Sequence, residues 1–170
     1  IDNEMVDKLV ENNKIIFRGI QGHRKEHALE VQIPFLQSVL KDFKIVPIVM
    51  GDQGRMFVDE LAEKISKVVD DVTLVVASSD MSHFYSSEEA DRLDTIVEKR
   101  INDFDFKGLL KDLETHNCEA CGGGPIAAMM KAASKKNINK SVVINRSNSG
   151  DVTGDKSEVV GYLSAVVYSD

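Results

Sequence analysis

Apolar residues along the chain fall into two spacings, one typical of helices and one typical of strands. Spacings of three and four residues predict helices over residues 2–12, 27–40, 57–68, 87–101, 105–114 and 125–133, the second of them disturbed at Pro34. Continuous or alternating apolar runs predict strands over residues 43–50, 72–77, 141–145 and 159–168, with a weaker signal at 14–19. Because helices and strands are interspersed, the pattern predicts a single α/β domain over residues 1–170, with helices flanking a mixed sheet.

Composition and charge narrow the class of protein. The 170 residues are 42% hydrophobic and 29% charged, as in ordinary globular domains, and the net charge of −7 disfavours binding to nucleic acid or to anionic membranes. No apolar run approaches the ~20 residues of a transmembrane helix, and two cysteines are too few for a disulfide framework. A reducing cytoplasm is therefore the expected location. The chain begins with Ile1 in place of Met, so a fragment, a processed chain or a trimmed chain is expected.

Asp80 and His83 follow the predicted strand 72–77, where the chain changes from apolar to small and polar residues. In open α/β sheets, ligands bind beyond the carboxyl ends of the strands, so these two side chains are predicted at a site. A carboxylate beside an imidazole is suited to proton transfer near neutral pH. The alternative is structural, with Asp80 capping a helix and His83 on the surface.

A second motif comprises His116, Cys118, Cys121 and the three glycines before Pro125, which allow close approach of a ligand. Proline is typical of a first helical turn, so Cys121 is predicted just ahead of a helix N-terminus, where free amide groups stabilise a thiolate. A thiolate can serve as metal ligand, nucleophile or redox centre. The Cys-x-x-Cys spacing also occurs in zinc sites, although only His83 and His116 are nearby candidates for further ligands. The structural alternative is a loop with two buried, inert thiols.

Glu26, His27 and Glu30 form a third polar cluster, at the start of the predicted helix 27–40. On a helix, Glu26 and Glu30 would share one face. Their spacing differs from the His-Glu-x-x-His motif of zinc proteases, so it does not specify a metal site. A solvated helix N-terminus accounts for the cluster equally well.

The order of these motifs resembles the Memo family, which includes AmmeMemoRadiSam system protein B. The motifs that carry the resemblance are EHALEVQIPFL (residues 26–36), SSDMSH (78–83), CGGGP (121–125), NSGDVTGD (148–155) and VGY (160–162). They span nearly all of the chain, which resembles the C-terminal part of a longer family member. The resemblance implies the fold of class III extradiol dioxygenases, with a mixed, largely parallel sheet flanked by helices.

The resemblance also implies a non-haem metal site, which the family builds from two histidines and a cysteine. Cys121 matches the cysteine ligand, and Asp80 and His83 match residues that line the pocket, with His83 at the general-base position. Glu26 and His27 carry over as pocket-lining residues. The two histidine ligands belong to N-terminal motifs that this chain lacks, so a complete site is expected to need upstream residues. The expected metal is iron (Fe²⁺), with copper or zinc as alternatives.

The resulting hypothesis is a Memo-like, metal-dependent oxidoreductase with a dioxygenase-type cleft that takes a small molecule or a peptide. Whether the chain is a catalyst stays open at this point. One alternative is a non-enzymatic module that binds a peptide or a partner protein in the same cleft. The other is a redox-active dithiol of Cys118 and Cys121, which predicts a reversible disulfide. None of the three involves nucleic acid or a membrane.

Overall fold

The computed structural model describes residues 1–20, 22–23 and 26–169, and this part of the chain has an α/β fold, as predicted. Its elements in chain order are α1 (Asn3–Val10), α2 (Ile33–Val39), α3 (Arg55–Val68), β1 (His83–Tyr85), α4 (Ser87–Asn102), α5 (Phe106–Glu114), α6 (Gly123–Lys135), β2 (Lys140–Asn148), α7 (Gly150–Thr153) and β3 (Val159–Tyr168). Among these helices there is none with the length and apolar character that a bilayer crossing requires.

The described strands form a small antiparallel sheet in the order β1-β3-β2, so the prediction of a largely parallel sheet is wrong for this part of the chain. Strands β2 and β3 follow one another closely, and a short connection permits antiparallel pairing, whereas a parallel pair needs a long crossover. Their register places Val142 opposite Val166 and Ser147 opposite Tyr162. The predicted strands 43–50 and 72–77 are not assigned as strands in the described structure.

Five of the six predicted helices are confirmed because their sequences contain both an apolar face and a start signal. The side chain of Asp2 caps α1, that of Ser86 caps α4 and that of Asp105 caps α5, each by accepting a backbone N–H hydrogen bond. The predicted helix 27–40 is wrong over its first part, because only α2 forms and Pro34 lies in its first turn.

Two apolar clusters form the core, and α6 contributes to both. The first cluster joins α1, α3 and one face of α6 through residues such as Leu9, Leu61 and Ala128. The second joins α4, α5 and the other face of α6, with Val97, Met130 and others fully buried. Burial on two faces fixes the start of α6 in the molecule, and with it the loop that precedes this helix.

Candidate functional site

The segment that contains Asp80 and His83 is held against β3 and then continues into β1. Met81 N–H donates to Gly161 O at 2.9 Å, and Gly161 N–H donates to Ser82 O at 2.9 Å. The Nε2 atom of His83 lies 3.8 Å from Asp80 Oδ2, and the two side chains are 28% and 48% exposed. The two groups are therefore neighbours at the surface, too far apart for a direct hydrogen bond and close enough for an ion pair.

Cys121 lies beside Asp80, although 41 residues separate them in sequence. Asp80 N–H donates to Cys121 Sγ at 3.2 Å, and Cys121 N–H donates to Asp80 O at 3.1 Å. Ser79 Oγ lies 3.8 Å from the same sulfur and accepts from Gly122 N–H at 2.8 Å. The structure thus brings together the three residues that the sequence singled out in two separate motifs.

The glycine run allows this contact because two stretches of backbone approach closely there. A Cβ atom at Gly122 would lie 2.5 Å from Ser78 O, and one at Gly124 would lie 2.7 Å from Gln53 Cβ. Gln53 also donates to Cys121 O and accepts from Gly124 N–H, both at 2.7 Å. The absence of side chains at Gly122 and Gly124 therefore leaves room for Ser78 and Gln53 of the same chain. Sequence patterns did not indicate Gln53, since its partners lie about 70 positions away.

A cleft of about 400 Å³ opens beside these residues, within the usual range for small-molecule sites. Its polar lining includes Gln53, His83, Glu114, His116, Glu119 and Cys121. Arg55 neutralises Glu114 through two hydrogen bonds of 2.7 and 2.9 Å, and this contact lowers the pKa of the Glu114 carboxyl group. The cleft therefore joins an imidazole, a thiol and carboxylates at one surface.

Tyr85 and Glu119 add a polar contact that the sequence did not predict. Tyr85 Oη donates to Glu119 Oε1 at 2.6 Å, and the hydrogen bond and the negative charge of Glu119 raise the pKa of the phenol. Phe84, between His83 and Tyr85, has a φ of 63° and is exposed. The register of β1 against β3 shifts between His83 and Tyr85. Such irregular strands are common next to functional sites.

Glu26 and His27 are both exposed and lie outside the residues that line this cleft. Glu26 Oε1 accepts from Ala28 N–H in a local turn, so the predicted helical face shared with Glu30 does not form. The turn that follows Glu26 and His27 still contacts the segment before Asp80, because it is hydrogen-bonded to Ser78. The Ser78 hydroxyl accepts from Gln32 Nε2 at 3.0 Å and donates to Ala28 O at 2.9 Å.

The two cysteines, both free thiols, differ in environment. Cys118 is 1% exposed, and burial raises the pKa of its thiol to about 11. Cys121 is exposed. A buried thiol with a raised pKa is a poor nucleophile, so this contrast argues against a redox pair and leaves Cys121 as the accessible sulfur.

A complete metal site does not form from this part of the chain alone. In residues 1–20, 22–23 and 26–169, no three His, Cys, Asp or Glu side chains are arranged to hold a metal ion. Cys121 thus fits a metal only as part of a larger ligand set.

Comparison with known proteins identifies the family. The model of the Memo-like protein family matches residues 1–166. The chain belongs to the Memo family. A MEMO1 family protein of Methanobrevibacter smithii is 37% identical over 169 residues, which are 98% of this chain and 60% of the relative. MEMO1 family proteins of Thermoplasma volcanium and Sulfurisphaera tokodaii are 39% and 40% identical, over 61% and 59% of their own lengths.

Family membership confirms the resemblance that the five motifs indicated. This Memo chain spans about 60% of the length of the relatives it matches. The segments described above therefore belong to the portion of a Memo protein that this sequence covers.

Proposed function

We propose that this chain supplies the thiol side of a Memo metal site and that the assembled site belongs to a metal-dependent oxidoreductase. One observation carries the proposal. Asp80 N–H donates to Cys121 Sγ at 3.2 Å, while the Asp80 carboxylate lies 3.8 Å from His83. A thiol and an imidazole thus line one cleft, and the Asp80 carboxylate lies beside the imidazole.

Cys121 is the residue of this chain that would hold the metal. Thiolate ligands favour iron, copper and zinc over hard cations such as Mg²⁺. The backbone N–H of Asp80 donates to this sulfur, and the thiolate is the form of a cysteine that binds metals. When bound, the metal supplies Lewis-acid and redox chemistry. Its remaining ligands would come from family segments beyond the 60% that this chain matches.

His83 would act on protons at its Nε2 atom, which faces Asp80. A histidine changes protonation near neutral pH and so can accept a proton from a ligand and return it. Asp80 would orient the imidazole. The cleft volume of about 400 Å³ suits a small molecule or the end of a peptide.

Metal content tests this proposal directly. This chain, and the same chain extended by the preceding segment of a Memo relative, are loaded with Fe²⁺ without oxygen and assayed by elemental mass spectrometry. We expect about one iron per extended chain and little in the 170-residue chain, because a site needs three or more ligands.

Two variants of the extended chain provide the matched comparison. Cys121→Ser should lose most of the iron, whereas Cys118→Ala should keep it, because Cys118 is buried away from solvent. Equal iron in both variants would remove Cys121 from the metal site.

A second candidate is a binding module that uses the cleft without metal. The cleft of about 400 Å³, whose lining includes Leu110 and Leu113 beside its polar groups, supports it. It predicts that the extended chain binds no iron and still binds a peptide or protein partner after His83→Ala.

A further inference from the structure

Tyr85 and Glu119 join the two segments of the site at a point away from the Asp80–Cys121 contact. Their hydrogen bond is 2.6 Å long and partly buried. Tyr85 lies two residues after His83 on β1, and Glu119 lies two residues before Cys121. One side-chain bond therefore links the strand that contains the imidazole to the loop that contains the thiol.

Strand β1 is anchored just before His83 by the hydrogen bonds that join Met81 and Ser82 to Gly161, and its pairing beyond His83 is irregular. It has three residues, and its register against β3 shifts between His83 and Tyr85. The residue between them, Phe84, has a left-handed backbone conformation that non-glycine residues adopt rarely. A short, irregular strand is poorly fixed by backbone hydrogen bonds alone.

The loop on the other side is fixed by Cys118, which is buried in the second core cluster, and by hydrogen bonds at its far end. Cys121 and Gly122 bond to Asp80 and Ser79. Two residues before Cys121 in the sequence, the side chain of Glu119 accepts a hydrogen bond from Tyr85 on β1. A hydrogen bond to an ionised acceptor is stronger than one between neutral groups, and partial burial protects this bond from water.

We propose that Tyr85 and Glu119 are positioning residues, whose hydrogen bond holds β1 against the loop before α6 so that His83 and Cys121 face the same cleft. The functional meaning of that alignment rests on the proposed function. The alignment itself involves no metal and is measurable in the chain of 170 residues.

Amide hydrogen exchange, followed by NMR in the metal-free chain, tests the proposal. Tyr85→Phe and Glu119→Ala each remove the bond, so we expect the Asp80 and Cys121 amides to exchange about tenfold faster, the effect of losing one such bond. Core amides such as that of Met130 should keep their rates. The Asp80 amide proton should also shift upfield as its hydrogen bond to the sulfur weakens.

Three further variants separate positioning from general stability. Glu119→Gln keeps an acceptor oxygen and should retain near-normal exchange at Asp80 and Cys121. The double variant Tyr85→Phe/Glu119→Ala should exceed neither single variant, because both remove the same bond. Tyr168→Phe, an exposed tyrosine on β3, is the control and should change nothing at the site.

Two results would overturn the proposal: unchanged exchange at Asp80 and Cys121 in Tyr85→Phe, or equal acceleration there and at Met130. A Glu119→Gln variant that behaves like Glu119→Ala would also contradict it. Since exchange is measured without metal, a failure of Cys121→Ser to lose iron would refute the metal proposal and leave this result intact.

Discussion

Gly122 shows how one backbone position sets the geometry of the site. Its N–H donates to Ser79 Oγ, and a Cβ there would lie 2.5 Å from Ser78 O. Real Cβ atoms do not approach a backbone oxygen so closely, so any side chain must separate the two segments. The position therefore couples the Cys121 loop to residues 78–80.

Gly122→Ala should lower the free energy of unfolding by about 1–3 kcal/mol, because neither backbone can yield without shifting the site. Gly51→Ala is the matched control. A Cβ at Gly51 meets nothing within 4 Å, so this change should be neutral or slightly stabilising. Urea unfolding measures both, and equal stabilities of the two variants would show that the close approach at Gly122 is not maintained.

Phe84 and Phe104 both have left-handed backbone conformations, but we expect substitution of the two residues to change the stability in opposite directions. Phe84 (φ 63°) is 76% exposed, whereas Phe104 (φ 52°) packs against the second core cluster and contacts Phe106 edge-on at 6.3 Å. The conformation costs about 1 kcal/mol in each, but only Phe104 offsets it by packing. Asparagine tolerates this conformation.

Phe84→Asn should therefore leave the unfolding free energy unchanged or raise it by up to about 1 kcal/mol. Phe104→Asn should lower it by about 2–3 kcal/mol through lost packing. Thermal and urea unfolding check the pair. A clear loss of stability in Phe84→Asn would mean that its ring has a packing role within the chain.

The structure brings Asp80, His83 and Cys121 together, and the sequence could single them out because each lies in a short local motif where the apolar pattern ends. Their role in a site stays a prediction. The sequence could not predict Gln53, Tyr85 or Glu119, because their roles come from contacts with residues 34 to 71 positions away. Glu26 and His27 lie outside the residues that line the cleft, and the helix expected from His27 begins only at Ile33, because a polar cluster beside an ambiguous helix start has no unique local structure.

At the scale of elements, α4 supports the site from beneath the sheet. Asp94 on this helix is buried at 2% exposure, and its Oδ1 accepts from Ser82 N–H at 3.0 Å. The carboxylate thus fixes the backbone between Asp80 and His83. Burial raises the pKa of Asp94, while the backbone hydrogen bond from Ser82 and the charge of Arg146 act in the opposite direction.

Because the folded pKa of Asp94 is raised, its favourable contribution to stability is present below the ordinary carboxyl pKa and is lost as pH rises through the folded pKa. Asp94→Asn removes this dependence. The stability of Asp94→Asn relative to the native chain should therefore increase from about pH 4 to pH 7. Asp155→Asn should show the opposite slope, below about pH 4, because hydrogen bonds from Ser157 lower the pKa of Asp155 from its ordinary value. The pH series therefore extends from about pH 2 to pH 7. Urea unfolding across this range measures both slopes, and a flat difference for Asp94→Asn would contradict the interpretation.

Helices were predicted more accurately than strands for a physical reason. A helix satisfies its hydrogen bonds within one segment, so an apolar face and a cap suffice to specify it. A strand needs a partner, and the sequence does not say which partner is present. Residues 140–148 pair with residues 159–168, and the two segments form β2 and β3. Residues 43–50 and 72–77 have equally apolar sequences and are not strands in the described structure.

At the scale of the whole molecule, residues 72–77 leave an apolar face open. Val72, Leu74 and Val76 are 93%, 70% and 47% exposed. Val75 and Ala77, which alternate with Leu74 and Val76, pack against the core. The alternation is that of a strand with one buried face. The chain matches about 60% of the length of its Memo relatives. An extended segment with outward apolar side chains is a template for association with another chain.

The 170-residue chain should therefore self-associate as its concentration rises, and Leu74→Lys should suppress this association without loss of stability. Analytical ultracentrifugation over a concentration series measures the association, and urea unfolding measures the stability. Val75→Ala is the matched control: it removes inward packing, so it should lower the unfolding free energy by about 1 kcal/mol and leave association unchanged.

If the native chain stays monomeric throughout, or if Leu74→Lys unfolds it, then Leu74 is covered within the monomer and the face is not open. If Leu74→Lys and Val75→Ala both associate like the native chain, the contact lies on another surface. Leu74 and Val75 point to opposite sides of the same extended segment, so the two variants test both of its faces.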